Sequence, residues 1–292
     1  MDTIKTSVVI PNWNGRQLLE KNLPSVVKCG FDEIIIVDDA SPDNSNNFLA
    51  EKFPEVKIVK HSKNMGFVDS VNDGVTAASG DIVFLLNLDV YPTTNIIRPV
   101  LDNFKKDEKV FAVSLHEKGY GWAKPALVDG YVTHIPGIES KETHKSFWPS
   151  GGSSAFRKKL WDELGGFDEN LTPFYWEDLE IGLRATKHGY KILWEPKATV
   201  VHEHEAIINP KYFNRRWLNW IKDRNQLLVI WKHFTLKELL VYHLPGLLKR
   251  LAKPGYWVVF LMALLRLPGV FRGRTNKKRK AIYSYEQIVE SF

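Results

Sequence analysis

The sequence predicts an α/β protein, a doubly wound and mostly parallel sheet followed by a helical C-terminal extension rich in aromatic and basic residues. In the first half, short runs of β-branched apolar residues alternate with amphipathic segments, which is typical of a parallel sheet with crossover helices. From Tyr212 onward the apolar residues recur at helical spacing instead. The 292 residues are 44% hydrophobic and 25% charged, a globular composition that excludes global disorder, collagen and a coiled coil.

The first half contains four predicted strands, each dense in β-branched residues and ending in turn formers. In chain order the predicted elements are strand Ser7–Pro11, helix Leu18–Lys28, strand Glu33–Asp38, strand Val56–Lys60, helix Val68–Ala78 and strand Asp81–Leu86. In such sheets, ligands bind beyond the carboxyl ends of the strands. The polar residues at those ends are therefore the candidate site.

The second half is less regular. Residues Lys118–Phe147 are rich in Gly, Pro and His and lack a clear period, so we predict an irregular segment with a hairpin. The predicted elements after it are helix Ala155–Leu164, helix Asp178–His188, strand Tyr190–Trp194 and strand Thr199–His202. A helical spacing of Trp217, Trp220, Arg224 and Leu228 predicts a further helix packed on the body. We therefore divide the chain into a body, 1–206, and an extension, 207–292.

Charge is distributed unevenly along the chain. The net charge is +6, but the segment Pro245–Lys280 holds ten Lys or Arg and no acid, which leaves −4 on the remainder. A basic segment of this kind usually binds phosphate, on a membrane surface or on nucleic acid. The single cysteine, Cys29, excludes a disulfide within the chain and fits a reducing compartment.

A polar turn follows the first strand, Pro11-Asn12-Trp13-Asn14-Gly15. Such a turn can bring backbone N–H groups to a ligand, and the indole of Trp13 can stack on a nucleobase. An ordinary loop with a core tryptophan is the alternative, and this turn alone favours it slightly.

Two adjacent carboxylates, Asp38 and Asp39, follow the second strand. Buried carboxylates are costly unless they are paired, and one of them can accept from a base N–H or a ribose hydroxyl. In the alternative, Asp38, Ser41 and Asp43 cap the next helix. Both roles can hold together.

Two more polar clusters, Asn64–Phe67 and Asn87–Asp89, also follow strands. A carboxylate beside a nucleotide site can hold Mg²⁺ on a diphosphate, because Mg²⁺ usually takes one or two carboxylates plus phosphate oxygens. The alternative is a polar turn at the edge of the sheet.

Acids and histidines mark two later positions. Glu177 and Asp178 begin a helix, where carboxylates are favourable on their own account, or one of them is a general base. His202 and His204 share one face of a strand, and two imidazoles on one face can bind a metal. Two exposed histidines without a role are equally common.

The order and spacing of these clusters carry more information than any one of them. The segments in question are SVVIPNWNG, IIIVDDAS, NMGF, DIVFLLNLD, SGGSSAFRKKLWDELGGFDE, FYWEDLEIGLRATKHGYKILWEP and VVHEH. This succession, from Thr6 to His204, resembles the family-2 glycosyltransferases of bacterial cell-surface glycan synthesis. The resemblance implies the GT-A fold, a nucleotide-diphosphate sugar donor and a single inverting displacement onto a hydroxyl of a lipid-linked or cell-surface glycan.

The resemblance also implies roles for residues. The donor part, about 1–115, would bind the nucleotide sugar through Pro11, Asn12, Trp13, Asn14, Asp38, Asp39, Asn64, Gly66, Asn87 and Asp89. A divalent metal, Mg²⁺ or Mn²⁺, would lie at Asp89 with His202 and His204. Asn87 departs from the family's Asp-x-Asp motif and removes one negative charge beside that metal.

The acceptor part, about 116–206, would carry the catalytic residues. The resemblance implies Asp178 as the general base, next to Glu177. It implies an acceptor site at Trp148, Gly151, Gly152 and Trp176, where the missing side chains of the glycines leave room.

The C-terminal extension mixes aromatic and basic residues over Leu244–Phe271, a composition typical of helices at a membrane interface. The expected membrane residues are Lys249, Arg250, Lys253, Trp257, Arg266 and Arg272. The longest apolar run there, Tyr256–Leu265, is too short to span a bilayer, which needs about 20 residues, and the N-terminus does not resemble a signal peptide. We therefore expect a cytoplasmic protein, peripheral at the inner face of an anionic membrane.

Other readings of the same features stay open. The extension is alternatively a solvated basic face or an oligomer contact, whereas nucleic acid is disfavoured because no binding motif accompanies the charge. A non-catalytic nucleotide-sugar or glycan-binding protein of the same fold is kept open by Asn87. A nucleotidyltransferase or dehydrogenase is disfavoured, since Pro11–Gly15 contains one glycine rather than a Gly-rich phosphate loop.

Overall fold

A computed structural model describes residues 4–203, 212–275 and 282–292. Its strands, in chain order, are β1 Thr6–Asn12, β2 Glu33–Asp38, β3 Lys57–Lys60, β4 Ile82–Leu86, β5 Val90–Pro92, β6 Val110–Glu117, β7 Ala123–Val128, β8 Tyr131–Pro136, β9 His144–Lys145, β10 Ser153–Arg157 and β11 Lys191–His202. The larger sheet has the order β3-β2-β1-β4-β10-β6-β11-β5, with β9 pairing to β11. Pairs β1–β2, β1–β4, β2–β3 and β6–β11 are parallel, which confirms the predicted doubly wound, mostly parallel sheet.

Helices cover both faces of this sheet and form the C-terminal extension. They are α1 Arg16–Val27, α2 Ser45–Lys52, α3 Phe67–Ala77, α4 Ile97–Lys106, α5 Lys158–Leu164, α6 Glu177–Lys187, α7 Arg215–His233, α8 Leu236–Glu238, α9 Leu244–Leu251, α10 Tyr256–Leu264, α11 Leu267–Thr275 and α12 Tyr285–Glu290. A π-helical turn, Leu239–His243, joins α8 to α9. The predicted helix through Trp217 and Leu228 is α7, and the helical extension is confirmed.

The central strands are apolar on both faces because helices cover both. Helices α1, α2 and α4 pack on one face around Leu23, Leu49 and Phe104. Helices α3, α5 and α6 pack on the other around Val71 and Trp161. This two-sided burial explains why strand sequences such as EIIIVD read as continuous apolar runs rather than alternating ones.

A third core joins the extension to the body. Hairpin β7–β8, helix α6 and helices of the extension contribute to it, with Tyr131 and Leu227 among its buried side chains. The Tyr285 hydroxyl donates to the Ala126 carbonyl at 2.8 Å, and the Gln226 amide donates to the Val132 carbonyl at 2.9 Å. The extension therefore packs on the acceptor part of the body, whereas the predicted boundary at 206/207 lies outside the described residues.

Two predicted element boundaries were wrong. The predicted helix Ala155–Leu164 is helical only from Lys158, because Ser153–Arg157 forms β10. This strand inserts antiparallel between β4 and β6 and is buried, and such pairing with distant strands overrides local propensity. The two predicted strands after Tyr190 are one strand, β11, with a register shift between Glu195 and Thr199. The predicted hairpin within Lys118–Phe147 is β7–β8.

No single helix in the described part of the chain is long and apolar enough to cross a membrane. Together, Tyr256–Leu264 and Leu267–Gly273 meet the length and composition criteria, but they are bent by 54° relative to each other.

A buried ionic network ties α6 to α7. The Glu180 carboxylate is fully buried and contacts Arg184, Lys232 at 2.7 Å and the His233 Nε2 at 2.8 Å. Burial opposes ionisation, but the charges of Arg184 and Lys232 outweigh it and hold the pKa of Glu180 well below its ordinary value. Burial lowers the pKa of His233 to about 4, despite the opposing hydrogen bond to Glu180. The imidazole is therefore neutral and donates its Nε2–H to Glu180.

Because of this network, we expect the free energy of unfolding of the protein to fall in mild acid. The unfolded imidazole binds a proton below about pH 6.5, whereas the folded one does so only below about pH 4. Stability therefore falls as the pH drops through this window, by up to about 3 kcal/mol from His233. His233→Gln keeps a donor but does not titrate, so its melting temperature should fall less between pH 6.5 and pH 4.5. Parallel slopes for the two proteins in differential scanning fluorimetry would contradict this assignment.

Candidate functional site

A cavity of about 630 Å³ opens at the carboxyl ends of β1, β2 and β4. Eight of the ten predicted donor residues line this strand-end cavity: Pro11, Asn12, Trp13, Asp39, Asn64, Gly66, Asn87 and Asp89. Its far wall contains residues that the sequence did not assign to the donor, namely Pro173, Phe174, Tyr175, Phe213, Trp217 and Lys222. The ends of separate strands therefore meet at one cavity, as the parallel sheet requires.

Asp38 and Asn14, the other two predicted donor residues, do not line the cavity. The Asp38 carboxylate is buried and accepts hydrogen bonds from the side-chain amides of Asn12, at 2.9 Å, and Asn46, at 2.8 Å. It orients Asn12, whose Oδ1 is buried without a hydrogen-bond partner among the described residues. The Asn14 N–H donates to the Ser41 Oγ at 2.7 Å. A direct contact of Asp38 or Asn14 with the donor stays a prediction, and the arrangement shows an indirect role for Asp38 through Asn12.

Asp39 lies at the wall of the cavity and shapes a neighbouring turn. Its carboxylate accepts from the backbone N–H of Met65, at 2.6 Å, and of Gly66, at 2.8 Å. His61 contacts the same carboxylate through Nδ1 at 2.8 Å and Asp73 through Nε2 at 3.0 Å. Asp39 therefore fixes the Asn64–Phe67 turn against the cavity, which links two clusters that the sequence shows as separate.

Gly66 is required by this turn for two reasons. Its φ of 93° lies in the left-handed region that favours glycine. A Cβ there would also come within 2.9 Å of the Pro173 Cα, so the turn and the opposite wall of the cavity touch backbone to backbone.

Trp13 is half-buried at the mouth of the cavity. Its ring lies 5.8 Å from that of Tyr212, edge to face, and 5.9 Å from that of Phe213. The indole is therefore held by the extension, and it lines the cavity from that position.

Asp89 and His202 form a pair at the inner end of the cavity. The His202 Nε2 lies 3.3 Å from the Asp89 carboxylate, and its Nδ1 lies 3.2 Å from the carboxylate of Glu117. Burial lowers the pKa of His202, but the hydrogen bonds to Asp89 and Glu117 outweigh burial and raise it to about 9. Glu117 was missed in the sequence, because nothing in its local pattern relates it to a histidine 85 residues away.

These residues fit a divalent metal ion. Two ligand atoms at about 2.1–2.3 Å from one ion and at right angles are about 3.0–3.3 Å apart, close to the observed separation of Asp89 and His202. A carboxylate on the other ring nitrogen, here Glu117, is the usual orienting partner of a metal-binding histidine. Among the described residues no three His, Cys, Asp or Glu side chains converge as a complete site, so phosphate and water would supply the remaining ligands. His204 lies outside the described residues.

Glu177 and Asp178 begin α6, as predicted. The Asp178 carboxylate accepts from the Gly151 N–H at 3.1 Å and from the Leu179 N–H at 2.7 Å. Burial raises the pKa of Asp178 to about 6, although these backbone bonds oppose the shift. Burial and the adjacent charge of Asp178 raise the pKa of Glu177 well above its ordinary value, and its Oε2 has no hydrogen-bond partner in the described part of the chain. Asp178 is thus poised to exchange a proton near neutral pH.

The glycine pair Gly151-Gly152 separates this carboxylate from the cavity. A Cβ on Gly151 would lie 2.9 Å from the Asp178 Oδ2. A Cβ on Gly152 would lie 2.7 Å from the Asn87 amide nitrogen and 3.0 Å from the His202 ring. The candidate base and the Asp89–His202 pair therefore lie on opposite sides of one dipeptide, and any side chain there would push them apart.

The other predicted acceptor residues, Trp148 and Trp176, do not line the strand-end cavity. The Trp148 ring lies 5.0 Å from that of His134, and both tryptophans pack partly against the third core. Tyr175 and Trp176 both have positive φ, 75° and 76°, a strained conformation that persists only where the surroundings enforce it. This strain directly precedes Glu177.

Helix α7 enforces that conformation. The side-chain amide of Asn225 donates to the carbonyls of Leu171, Phe174 and Tyr175 at 2.7, 3.0 and 2.9 Å. Arg224 donates to the Thr172 carbonyl at 2.6 Å. The signal in the sequence is that the polar residues 224–226 interrupt the helical spacing of the apolar residues in α7. The helical spacing alone predicts only that Arg224 packs on the body.

One predicted membrane residue is used inside the protein. The Arg250 guanidinium lies 3.4 Å from the centre of the Tyr131 ring and donates to Gln226 at 3.1 Å. Its helical position faces the third core rather than solvent, and a membrane role of Arg250 stays a prediction. Arg266 is half-buried beside Thr172, whereas Lys249, Lys253, Trp257 and Arg272 are exposed.

Comparison with known sequences identifies the family. The sequence model of glycosyl transferase family 2 matches residues 7–165, and that of glycosyl transferase family group 2 matches residues 130–271. The chain belongs to glycosyl transferase family 2, and the predicted resemblance is confirmed.

Two curated relatives show how far the likeness extends. The poly-beta-1,6-N-acetyl-D-glucosamine synthase of Staphylococcus epidermidis is 24% identical over 81% of this chain and 59% of its own length. The dolichol-phosphate mannosyltransferase of Pyrococcus furiosus is 30% identical over 40% of this chain and 34% of its own. This chain therefore spans less than two thirds of the length of either relative.

Solved structures share the fold. GalNAc-T7, crystallised with UDP, GalNAc and Mn²⁺, aligns with a TM-score of 0.66 at 19% identity, over 80% of this chain and 48% of that one. A mannosyltransferase from Pyrobaculum calidifontis, in complex with GDP-Man and Mn²⁺, aligns with a TM-score of 0.55 at 18% identity, over 93% and 74%. These neighbours confirm the GT-A type architecture.

We expect Asn225→Asp to unfold the loop before α6. The substitution preserves shape but removes the N–H donors of three carbonyls and buries a carboxylate, so the free energy of unfolding should fall by about 3 kcal/mol or more. Asn219→Asp, at an exposed position of the same helix, is the matched control and should change little. Urea denaturation measures both, and equal stability of the two variants would contradict the proposed clamp.

Proposed function

We propose that this chain transfers a sugar from a nucleotide-diphosphate sugar to a hydroxyl of a glycan acceptor, either lipid-linked or at the cell surface, with inversion at the anomeric carbon. The observation that carries the proposal is the position of Asp178 and of the Asp89–His202 pair on the two sides of the glycine pair. Sugar transfer needs a proton acceptor at the incoming hydroxyl and stabilisation of the leaving diphosphate. Family membership and the polysaccharide-synthase relative support this choice.

The donor would occupy the strand-end cavity. The volume of this cavity, and its polar and aromatic walls, suit a small-molecule ligand. Asn12, oriented by Asp38, and the turn held by Asp39 would contact the nucleoside, and Trp13 would cover it. UDP and GDP-Man in the two structural neighbours support a donor of this class.

Asp89 and His202 would hold a divalent metal, Mg²⁺ or Mn²⁺, together with the donor diphosphate. The metal, when bound, would neutralise the negative charge that develops on the leaving group. Glu117 would keep the His202 ring oriented. Because His202 is protonated at pH 7 with its pKa near 9, metal binding must displace that proton and should strengthen as the pH rises. Asn87 leaves less negative charge here than the usual Asp-x-Asp motif.

Asp178 would act as the general base. It would take the proton of the acceptor hydroxyl as that oxygen attacks the anomeric carbon, and the bond to the diphosphate breaks from the opposite side. A pKa of about 6 keeps the carboxylate ionised at neutral pH yet basic enough to accept the proton. Burial and the charge of Asp178 raise the pKa of Glu177 well above its ordinary value, which disfavours a second charge beside the base.

The proposal also includes a position for the acceptor and a location for the protein in the cell. The acceptor would enter on the Asp178 side of the glycine pair, near Trp148 and Trp176. A single cysteine, Cys29, fits a reducing compartment, and we place the chain in the cytoplasm, peripheral at the inner face of the cell membrane.

We expect Asp178→Asn to fold normally but to transfer sugar about 100-fold or more slowly. A screen of nucleotide sugars with Mn²⁺, read as released nucleoside diphosphate, identifies the donor and then measures this loss. Asp162→Asn, an exposed acid on α5, is the matched control. Near-normal turnover of Asp178→Asn would exclude the proposed base, and failure of every donor to bind would exclude the function.

The pH profile of the wild type tests the same residue. Asp178 accepts a proton only when ionised, so kcat/KM should fall as the pH drops below about 6. A profile that is flat between pH 5 and 8 would contradict this role.

A further inference from the structure

The helices of the extension leave an apolar surface exposed on the side away from the body. Leu240, Leu244 and Leu248 recur every four residues along the π-helical turn and α9, and Trp257, Leu261 and Leu265 recur likewise along α10. All six are exposed, with Leu265 at 83%. We name these six side chains the outer apolar face.

This face is not needed for folding. The opposite sides of the same helices already fill the third core, with Leu247 in α9 and Val259 and Ala263 in α10. Helices α9 and α10 pack against each other, so the two stripes lie side by side. Soluble monomers rarely expose contiguous apolar patches of this kind, and where they do the patch marks an interaction site.

Within the segment that carries the face, the exposed charges are all positive. Over residues 235–273 the sole acid is Glu238, which is 2% exposed, whereas Lys237, Lys249, Lys253 and Arg272 are exposed. Lys249 contacts Asp129 at 3.2 Å, and Lys237 lies 3.7 Å from Glu286. Both are ion pairs at the surface, which are weak, so these lysines can also bind other anions. The face therefore offers apolar insertion with cations at its edge.

We propose that the outer apolar face binds the surface of an anionic lipid bilayer. The six side chains enter the boundary between headgroups and acyl chains, and the exposed cations contact lipid phosphates. Helix α10 has nine residues, about 14 Å of helix, which is less than half of the roughly 30 Å hydrocarbon core. Helix α10 alone is too short to cross the bilayer, and in this proposal it lies in the interface.

A second copy of this chain is the less suitable occupant. A two-fold symmetric contact places the same patch on both sides, so the exposed lysines and Arg272 of one copy would face those of the other. Within residues 235–273 no acid is exposed to compensate the lysines, and only Asp129 and Glu286 from other segments pair with two of them. Anionic phosphates, in contrast, complement the rim.

Docking on this face would place lipid close to the reaction site. The Phe260 ring of α10 contacts that of Trp231 at 5.9 Å. Trp231 belongs to α7, the helix that brings Trp217 and Lys222 into the strand-end cavity. Further along α10, Met262 packs against the cluster of Phe174, Leu218 and Ile221, and Phe174 lines the cavity. Helix α10 therefore reaches the wall of the cavity, which suits an acceptor carried on a lipid.

Flotation of the full chain with vesicles tests the proposal. Wild type should float with vesicles of phosphatidylcholine mixed with phosphatidylglycerol, and less with phosphatidylcholine alone or in high salt. Leu248→Glu combined with Leu261→Glu should reduce binding at least tenfold, because each substitution places a charge in the inserted face. Ile135→Glu combined with Ile138→Glu, two exposed apolar residues outside the face, is the matched control and should float as wild type does.

Lys249→Glu combined with Lys253→Glu provides a second test that leaves the apolar stripes intact. This variant should also bind anionic vesicles at least tenfold more weakly, and thermal melts confirm that each variant is folded. The proposal is overturned if the wild type stays at the bottom of the gradient without vesicles, or if the leucine variant floats as well as the wild type. It is also overturned if light scattering shows that the wild type is a dimer and that the leucine variant is not. Vesicle binding needs no donor, so its outcome is independent of the proposed sugar transfer.

Discussion

The close approach at Gly151-Gly152 is the constraint on which the candidate site depends. The pair follows the loop leading into β10, the antiparallel strand beside β4, so it passes directly over the Asn87–Asp89 turn at the end of β4. On its other side the Gly151 N–H holds the Asp178 carboxylate. Any side chain here would crowd either Asp178 or the Asp89–His202 pair, and in the proposed reaction their separation would set the span between the attacking hydroxyl and the leaving diphosphate.

The rest of the molecule holds that geometry in place. Asn225 and Arg224 fix the strained loop before α6, and the Glu180 network ties α6 itself to α7. Helix α7 also lines the cavity and contacts α10 through Trp231. The extension thus has two roles. One of its sides supports the loop before α6, and another side presents apolar side chains and cations outward.

The sequence predicted the parts of the site that follow local rules. Apolar runs that end in turn formers placed Asn12, Asp39 and Asp89 at strand ends, and the parallel sheet brought them to one cavity. Contacts between distant segments could not be predicted: Glu117 pairs with His202 across 85 residues, and the Ser153–Arg157 segment becomes a strand only because β4 and β6 pair with it. The packing of Arg250 on Tyr131 could not be predicted for the same reason, since composition shows a charge but not the direction in which it points.

Nucleotide binding by Gly152→Ala tests the central claim most directly. The added methyl group would lie 2.7 Å from the Asn87 amide and 3.0 Å from the His202 ring, so it displaces the metal-binding side of the site while it leaves the Asp178 side in place. Calorimetric titration of nucleoside diphosphate with and without Mn²⁺ should show that Mn²⁺ tightens binding to wild type at least tenfold and to the folded variant hardly at all. An equal Mn²⁺ effect on both proteins would contradict the account.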